Sequence, residues 1–209
     1  YWVPNGAATT TQYNNGITLA FTGSGGSVAL GTGSYFATRN RLANNTGASA
    51  NSSAAGRHSG LIVFRGNSAG RGGFHFVAEC GRADAVLVTD ARWIMSLYGT
   101  NSAISGVEPS TLLQVLGFGR DSTDTNLQIM HNDGSGTCTK VDLGANFPAN
   151  TKDTDWYRGE FYCPPNGSTV YYLVTRMNTS DQALGSLTTN LPTNTNFLAP
   201  QGYINNTAT

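Results

Sequence analysis

The densest group of acidic and amide side chains lies in residues 117–126, GFGRDSTDTN. Asp121, Asp124 and Asn126 offer oxygen ligands of the kind that Ca²⁺ prefers, but they lack the spacing, the glycine and the terminal glutamate of an EF-hand loop. The alternative is a polar turn, in which Asp and Asn side chains bond to their own backbone. No helix pattern follows the glycines, which argues against a dinucleotide-binding loop. We predict no bound metal and no cofactor.

Carboxylate and histidine side chains suited to hydrolysis are present, but their spacing in the sequence shows no catalytic arrangement. A glycosidase needs two carboxylates about 5–10 Å apart, and Glu79 and Glu160 lie in strand-like segments where burial could raise the pKa of one of them. His58, His75 and His131 share no metal-ligand spacing. No nucleophile and base are recognisable from spacing alone. We therefore predict that the chain is not an enzyme and has no catalytic residue.

Aromatic side chains are more informative, because Trp and Tyr combine an apolar ring with a polar group. Rings of this kind, with Asn or Asp beside them, often bind sugars. The candidates for exposed rings are Trp2, Tyr35, Phe36, Trp93, Tyr98, Trp156, Tyr157, Tyr162 and Tyr203. Each could instead pack in the core, which is the favoured interpretation for Trp93 and Trp156. Tyr98 with Asn101, beside a Gly-Thr-Asn-Ser loop, is the predicted receptor contact.

The amino-acid composition indicates what kind of surface surrounds these side chains. The chain has 209 residues, of which 12 are basic and 12 acidic, so 11% are charged and the formal net charge is zero. An ordinary soluble domain has about 25% charged residues; here Asn, Thr, Ser and 26 glycines replace them. No clustered cationic field favours nucleic acid, and no apolar run approaches the ~20 residues of a membrane helix. We expect neither nucleic-acid binding nor membrane insertion.

The elements that must position these groups are short strands. Helix signals are nearly absent, and alternating apolar segments are separated by Gly, Asn, Asp and Pro. Asn132-Asp133-Gly134 predicts a hairpin between residues 127–131 and 137–143, and Pro164-Pro165-Asn166-Gly167 predicts another between residues 156–163 and 168–178. The expected fold is all-β, an antiparallel β-sandwich of jelly-roll or lectin-like type. Further strands are predicted at residues 17–21, 60–64, 73–78, 85–89, 92–97, 112–118 and 182–188.

Residues 40–57 form a stretch rich in Gly, Ala, Ser and Asn. We predict that residues 1–57 are an amino-terminal connecting segment and that residues 58–209 are the compact sandwich. The alternative is one continuous domain with a long excursion. The chain begins at Tyr1 without Met, so we expect it to be part of a longer protein.

Cys80, Cys138 and Cys163 form no CxxC motif, and their odd number favours buried free thiols over a disulfide framework. The glycine-rich segment at residues 66–73, GNSAGRGG, lacks the Gly-Lys-Ser/Thr of a phosphate loop and is interpreted as a hairpin loop.

Several segments match one family of proteins. They are RGGFHF at residues 71–76, VEPS at 107–110, DTNLQIMHND at 124–133, DLGANFP at 142–148, PPNGSTVYY at 164–172 and LTTNLP at 187–192. With them, residues from about 72 to 206 resemble the carboxy-terminal receptor-binding domain of bacteriophage tail fibres and related prophage tail proteins. The first 57 residues match nothing in this family.

The resemblance implies a homotrimeric virion structural protein at the tip of a tail fibre. Such a viral protein is made in the host cytoplasm, and its partners are its own copies, the rest of the fibre and tail, and a bacterial surface receptor. The implied function is host recognition by adhesion, with polysaccharide as the expected receptor and residues 1–57 leading to the fibre shaft. The alternatives are a capsule or lipopolysaccharide depolymerase and a purely structural tail or baseplate component. The resemblance implies no particular binding residue.

Overall fold

The computed structural model describes residues 12–14, 17–22, 24–28, 30–32, 38, 41–46, 51–83 and 87–206. These residues form short strands and one 3₁₀ turn, Pro109–Thr111. The strands are β1 (Gln12–Asn14), β2 (Ile17–Thr22), β3 (Ser24–Val28), β4 (Arg41–Asn45), β5 (Ser52–His58), β6 (Phe74–Gly81), β7 (Arg92–Tyr98), β8 (Val115–Arg120), β9 (Gln128–Asn132), β10 (Thr139–Asp142), β11 (Trp156–Cys163), β12 (Val170–Arg176), β13 (Asp181–Leu187) and β14 (Ala199–Asn206).

The strands form two antiparallel sheets and a short ribbon. The large sheet has eight strands in the order β1-β2-β5-β14-β7-β8-β9-β10, and the small sheet has four in the order β13-β12-β11-β6. β3 and β4 pair separately. The predicted all-β antiparallel sandwich is confirmed. Within the described residues, no helix is long and apolar enough to cross a membrane.

The main core lies between the two sheets, because successive residues of a strand point to opposite faces. Trp93 of β7 and Phe118 of β8 point inward from the large sheet, and Phe161 of β11 and Val174 of β12 point inward from the small sheet. The ring centroid of Phe118 is 6.3 Å from that of Trp93 and 6.5 Å from that of Phe161. Each such side chain contributes about 1.5–3 kcal/mol by leaving water. Phe118 therefore links the two sheets in one core.

The outer face of the large sheet carries a second buried cluster. Ile104 and Leu112, from the segment between β7 and β8, pack with Ile94, Met130 and Tyr203 of the sheet. The Tyr203 hydroxyl donates a hydrogen bond to the carbonyl of the same covering segment at residue 107 (3.0 Å). The segment at residues 99–114 thus covers this face. The outer face of the small sheet, in contrast, presents several large side chains that are half exposed or more.

Both predicted hairpins are confirmed. β9 and β10 pair antiparallel around a turn in which Gly134 has a φ of 111°. β11 and β12 pair around the proline-rich turn, where Asn166 has a φ of 57° and the Gly167 N–H donates to the Pro164 carbonyl (2.9 Å). Positive φ is readily adopted by Gly and tolerated by Asn, so these residue types determine where the chain reverses.

The large sheet extends across the predicted boundary between residues 57 and 58. β5 pairs with β14 on one side and with β2 on the other. The division into residues 1–57 and 58–209 stays a prediction, and a cut at residue 57 would pass through a strand. The pairing of β2 and β5 within the large sheet favours the alternative of one continuous domain.

Some strand predictions were wrong. At residues 60–64 only Val63 pairs, through an isolated bridge to Leu198. Residues 87–89 form no strand, while residues 85–86 lie outside the described part of the chain. β5 and β14 were not predicted, because their sequences, SSAAGRH and APQGYINN, are rich in residues of low strand propensity. Pairing on both sides holds them in the sheet regardless of that propensity.

The three cysteines are free thiols, as predicted. Burial, assisted by the charge of Asp121, raises the pKa of Cys138 to about 12. Burial also raises the pKa of Cys80 and of Cys163. Protonated thiols are poor nucleophiles, so all three act as small apolar groups.

The glycines of residues 66–73 allow close backbone packing. Gly66 has a φ of +100°, and a Cβ there would come within 1.9 Å of the Arg71 carbonyl oxygen. The Asn166 N–H donates to the carbonyl of Arg71 (3.0 Å), which ties this loop to the β11–β12 turn. The loop therefore has a structural reason for its glycines.

Candidate functional site

Antiparallel β7 and β8 run between the two ends of the sandwich. Arg92 and Arg120 lie at one end, which we call the polar end, and Tyr98 and Val115 lie at the other. The polar end contains an open depression with a volume of about 510 Å³. We call it the polar depression; it is lined by Thr89, Asp90, Arg120, Ser122, Thr123, Asp124, Thr125, Pro148 and Asn150.

Buried arginines fix the three loops that line the polar depression. The Arg120 guanidinium donates to the backbone carbonyls of Thr89 (3.1 Å), Asp121 (2.9 Å) and Ser122. Burial and the neighbouring charge of Arg82 lower the pKa of Arg120, against the opposing effect of nearby carboxylates. An arginine nevertheless remains charged at neutral pH. Because its donors are engaged by carbonyls, Arg120 positions the loops around it.

A second arginine joins the end of the small sheet to the same loops. Arg82 follows β6, and its Nη1 donates to Asn150 Oδ1 (2.5 Å). Asn150 Nδ2 in turn donates to the Thr89 carbonyl (3.0 Å). This chain of hydrogen bonds crosses from one sheet to the other, so the depression is built on both halves of the sandwich.

Lys140 holds the acidic residues of the loop that follows β8. Its ammonium lies 3.1 Å from Asp121 Oδ2 and 2.6 Å from Asp124 Oδ1. Burial disfavours the charged form of Lys140. The hydrogen bonds from the ammonium to Asp124 and Asp121 and the negative charges of these two residues outweigh burial, so the pKa of Lys140 is raised. A lysine thus occupies the place between these carboxylates that a cation would take.

The structure brings together two of the three oxygen ligands considered for Ca²⁺. Asn126 is oriented elsewhere, and its Nδ2 donates to Asp142 Oδ1 (3.0 Å). The Asp121 N–H donates to Asp124 Oδ2 (2.9 Å), as in the polar turn considered as the alternative. In the part of the chain that the structure describes, no three His, Cys, Asp or Glu residues are grouped to hold a metal. The prediction that no metal binds stays a prediction.

Glu108 fixes the same loop from the side of the covering segment. Glu108 Oε1 accepts hydrogen bonds from Arg92 Nη1 (3.0 Å) and Ser122 Oγ (2.6 Å), and Oε2 accepts one from the Ser122 N–H (2.9 Å). The Ser110 N–H donates to Asp121 Oδ1 (2.9 Å). The loop at residues 120–126 is therefore held from several directions before any ligand arrives.

The exposed surface of the depression is suited to a ligand with many hydroxyl groups. Asp90, Thr123 and Thr125 are exposed there, next to the half-buried Ser122. Carboxylates accept hydrogen bonds, while hydroxyls both donate and accept. Convergent polar groups of this kind orient small ligands in pockets.

The predicted receptor contact lies at the opposite end of the sandwich. Tyr98 is half-buried and packs against the second cluster, and burial raises its pKa. Asn101 is exposed. Its Nδ2 donates a hydrogen bond to the backbone carbonyl of Ser59 (2.9 Å), and the backbone carbonyl of Asn101 accepts one from Arg57 Nε (2.8 Å). The contact of Tyr98 and Asn101 with a receptor stays a prediction.

The other aromatic candidates divide by burial. Trp93 and Trp156 are buried, as predicted. Tyr157 and Tyr203 were also candidates for exposed rings, but both are buried. Tyr162 is half exposed on the outer face of the small sheet. Trp2, Tyr35 and Phe36 lie outside the described residues.

The residues considered for catalysis are held in structural contacts. Glu79 accepts a hydrogen bond from Trp156 Nε1 (3.0 Å), and Glu160 contacts His75 Nε2 (3.2 Å). His58 Nδ1 contacts the Gly60 carbonyl (2.7 Å). His131 Nδ1 contacts the Asn190 carbonyl (3.0 Å), and burial lowers the pKa of His131. The three histidines belong to β5, β6 and β9.

No protein-family model matches the chain, and no curated protein matches it in sequence. Among solved structures, it is similar to peanut lectin in complex with a nine-residue peptide. The TM-score is 0.54 at 11% identity, over 98% of this chain and 90% of that chain. It is also similar to arcelin-5, a lectin-like defence protein from Phaseolus vulgaris, with a TM-score of 0.51 at 10% identity, over 97% of this chain and 86% of that chain.

A carbohydrate esterase from the Shiga toxin-encoding bacteriophage phi24B gives a TM-score of 0.48 at 17% identity, over 91% of this chain and 84% of that chain. The similarities to peanut lectin and arcelin-5 show that the chain has a lectin-like β-sandwich fold.

Proposed function

We propose that this chain is the receptor-binding domain of a bacteriophage tail fibre, which adheres to a polysaccharide of the bacterial surface through the polar depression. The observation that carries the proposal is the depression itself, with its exposed hydroxyl and carboxylate groups on loops that are already fixed. The lectin-like fold and the tail-fibre motifs in residues 71–192 support it.

The fixed loops would favour the binding of such a ligand. Sugar hydroxyls would exchange hydrogen bonds with Asp90, Thr123 and Thr125, and rigid loops lose little conformational entropy on binding. The affinity of one shallow site would be modest. A homotrimer at the fibre tip would present three copies and raise the overall affinity through multivalency.

A blocking substitution tests the proposed site. Thr123→Lys places a long charged side chain in the depression, so we expect binding to host cells to weaken about tenfold or more. The matched control is Thr188→Lys, which adds the same charge at an exposed position after β13. Binding of fluorescently labelled domain to host cells, competed by unlabelled domain, measures both. Equal binding by the two variants would remove the depression as the receptor site.

A second substitution tests the carboxylate alone. Asp90→Asn keeps the size of the side chain and removes its charge, so we expect a smaller loss of cell binding, about threefold to tenfold. Asp133→Asn is the control at the opposite end, where the amide oxygen can still accept the hydrogen bonds from Ser135. Unchanged binding by Asp90→Asn would exclude this carboxylate as a contact.

The alternative functions give different results. A depolymerase would release new reducing ends from host polysaccharide at substoichiometric protein, whereas an adhesin would release none. A purely structural tail component would show no saturable binding to host cells. Sedimentation tests the trimer: a 22 kDa species at micromolar concentration contradicts it, since the single chain has a mass of 22.0 kDa.

A further inference from the structure

The outer face of the small sheet carries a contiguous group of outward-facing side chains, most of them exposed, which we call the tyrosine face. Its members come from all four strands of the sheet and comprise His75, Val77, Glu160, Tyr162, Tyr171 and Leu184. Tyr162 and Tyr171 are each 50% exposed, and Leu184 is 76% exposed. Isolated exposed apolar residues are common, but contiguous ones mark interaction sites.

The strand register places three of these rings in one row. Tyr162 lies opposite Tyr171 on one side and opposite His75 on the other. The ring centroids of the two tyrosines are 6.4 Å apart, with an angle of 26° between their planes. His75 meets Tyr162 edge-on, at 6.4 Å and 80°. Two nearly parallel rings therefore stand beside each other on the sheet.

A polar group is fixed beside the rings. Glu160 precedes Tyr162 by two residues on the same face, and its Oε2 lies 3.2 Å from His75 Nε2. Its Oε1 lies 3.1 Å from Arg158 Nε. The carboxylate is held in place, and the charge of Arg158 offsets it. The surface thus combines aromatic area with a hydrogen-bond acceptor and little net charge.

The size of the tyrosine face argues against a second protein as its occupant. Four strands about 4.8 Å apart and seven or eight residues long, at about 3.3 Å per residue, cover on the order of 500 Å². A stable protein interface buries about 800 Å² on each partner. A protein partner would also have to desolvate the Arg158–Glu160 pair, which is costly. A ligand that leaves part of the tyrosine face in water avoids part of this desolvation cost.

We propose that the tyrosine face is a second glycan-binding surface, which takes a neutral stretch of polysaccharide. Tyr162 and Tyr171 would lie against the C–H faces of sugar rings, and Glu160 would accept hydrogen bonds from their hydroxyls. Tyrosine provides such contact area at a low cost in side-chain entropy. The inference rests on the proposed function for the class of ligand, but its site is separate from the polar depression.

The test is native electrophoresis of the protein through gels that contain galactomannan, dextran or mixed-linkage β-glucan, which are all neutral polysaccharides. We expect at least one of them to retard the wild-type protein. The double variant Tyr162→Thr/Tyr171→Thr keeps β-branched residues in the strands and should weaken the retarding interaction about tenfold or more. Leu113→Thr, which changes a side chain that is 43% exposed between β7 and β8 and lies outside the tyrosine face, is the control and should be retarded like the wild type.

Thr123→Lys separates this inference from the proposed function. It should keep its retardation in the gels although it loses binding to host cells. Retardation by none of the three polysaccharides, or equal retardation of the double tyrosine variant and the wild type, overturns the inference. Cell binding that is sensitive to Thr123→Lys would then still support the polar depression as the receptor site.

A second measurement requires no variant. Tetranitromethane nitrates exposed tyrosines, and peptide mass spectrometry reads each position. The polysaccharide that retards the protein should slow nitration of Tyr162 and Tyr171, with Tyr172, which points to the opposite face of β12, as the internal control. Unchanged nitration of both tyrosines in the presence of that polysaccharide would overturn the inference.

Discussion

The two sheets of the sandwich differ in how exposed the side chains on their outer faces are. The large sheet is covered on its outer face by residues 99–114, whose Ile104 and Leu112 build a second buried cluster. The small sheet leaves Tyr162, Tyr171 and Leu184 exposed on its outer face. The covered face adds to the free energy of unfolding, whereas the tyrosine face is the surface that we propose for a second ligand. The polar depression lies at one end, where loops from both sheets meet.

The largest expected effect concerns the covered face. Leu112→Ala removes a buried side chain from the second cluster, and we expect the free energy of unfolding to fall by about 3–4 kcal/mol. Urea denaturation followed by tryptophan fluorescence measures it. A loss below about 1 kcal/mol would show that residues 99–114 do not act as part of the core.

The small sheet is also held by contacts at its strand ends. Asp155, just before β11, accepts hydrogen bonds from Arg176 Nε (2.7 Å), Asn178 Nδ2 (2.9 Å) and Thr151 Oγ1 (2.6 Å). Burial opposes its ionisation, but these hydrogen bonds and the Arg176 charge lower the pKa of Asp155 below its ordinary value of 3.8. The ionised carboxylate therefore stabilises the fold above about pH 3.8, and this stabilisation is lost as the pH falls further.

Asp155→Asn tests that contribution. At pH 7 we expect a loss of about 2–3 kcal/mol in the free energy of unfolding, because the buried carboxylate no longer pairs with Arg176. The difference from the wild type should shrink as the pH is lowered below about 3.8. Asp153→Asn, two residues away and exposed, is the control. A difference for Asp155→Asn that stays constant between pH 7 and about pH 3 would contradict this explanation.

A smaller effect is expected for Lys140→Met, next to the polar depression. The variant leaves Asp121 and Asp124 without the ammonium, but the site is partly open to solvent, so we expect a loss of about 1 kcal/mol. Because the pKa of Lys140 is raised above 10.5, its contribution is present below that pH and is lost as the pH rises through the folded-state pKa. Urea denaturation at pH 7 and above pH 10.5 checks both statements, with Lys152→Met as the control. An undiminished difference at the higher pH would argue against an ionic contribution.

The smallest effect is expected on the tyrosine face. Leu184→Thr changes a side chain that is 76% exposed, so the free energy of unfolding should change by less than about 0.5 kcal/mol. The same urea titration that detects Leu112→Ala provides the comparison. A loss similar to that of Leu112→Ala would mean that the outer face of the small sheet is covered after all.

The sequence predicted the local part of this architecture. Asn132-Asp133-Gly134 and the turn at residues 164–167 identified two hairpins, because turn residues act over four positions or fewer. Val170 and Val174 are separated by four positions in β12, so they share a face, and both are buried in the main core. β14 was missed, because its place between β5 and β7 depends on partners about 100 or more residues away.

The candidate site was less predictable, because it also depends on residues that lie far apart in the sequence. The polar depression is assembled from residues 89–90, 120–125 and 148–150, which no sequence spacing connects. The acidic residues at 121 and 124 stood out in the sequence as possible metal ligands, but the lysine between them comes from β10. Tyr162 was among the candidates for exposed rings, whereas Tyr171 was identified only by its register opposite Tyr162.

The most direct test of the proposed function is a map of amide chemical-shift changes when oligosaccharides prepared from the host surface polysaccharide are added to the domain. Binding at the polar depression predicts the largest changes in residues 87–91, 120–126 and 148–150, with Thr123→Lys abolishing them. Changes confined to the opposite end, around Tyr98 and Asn101, would contradict the depression as the receptor site, and the absence of any change would contradict polysaccharide recognition by this domain.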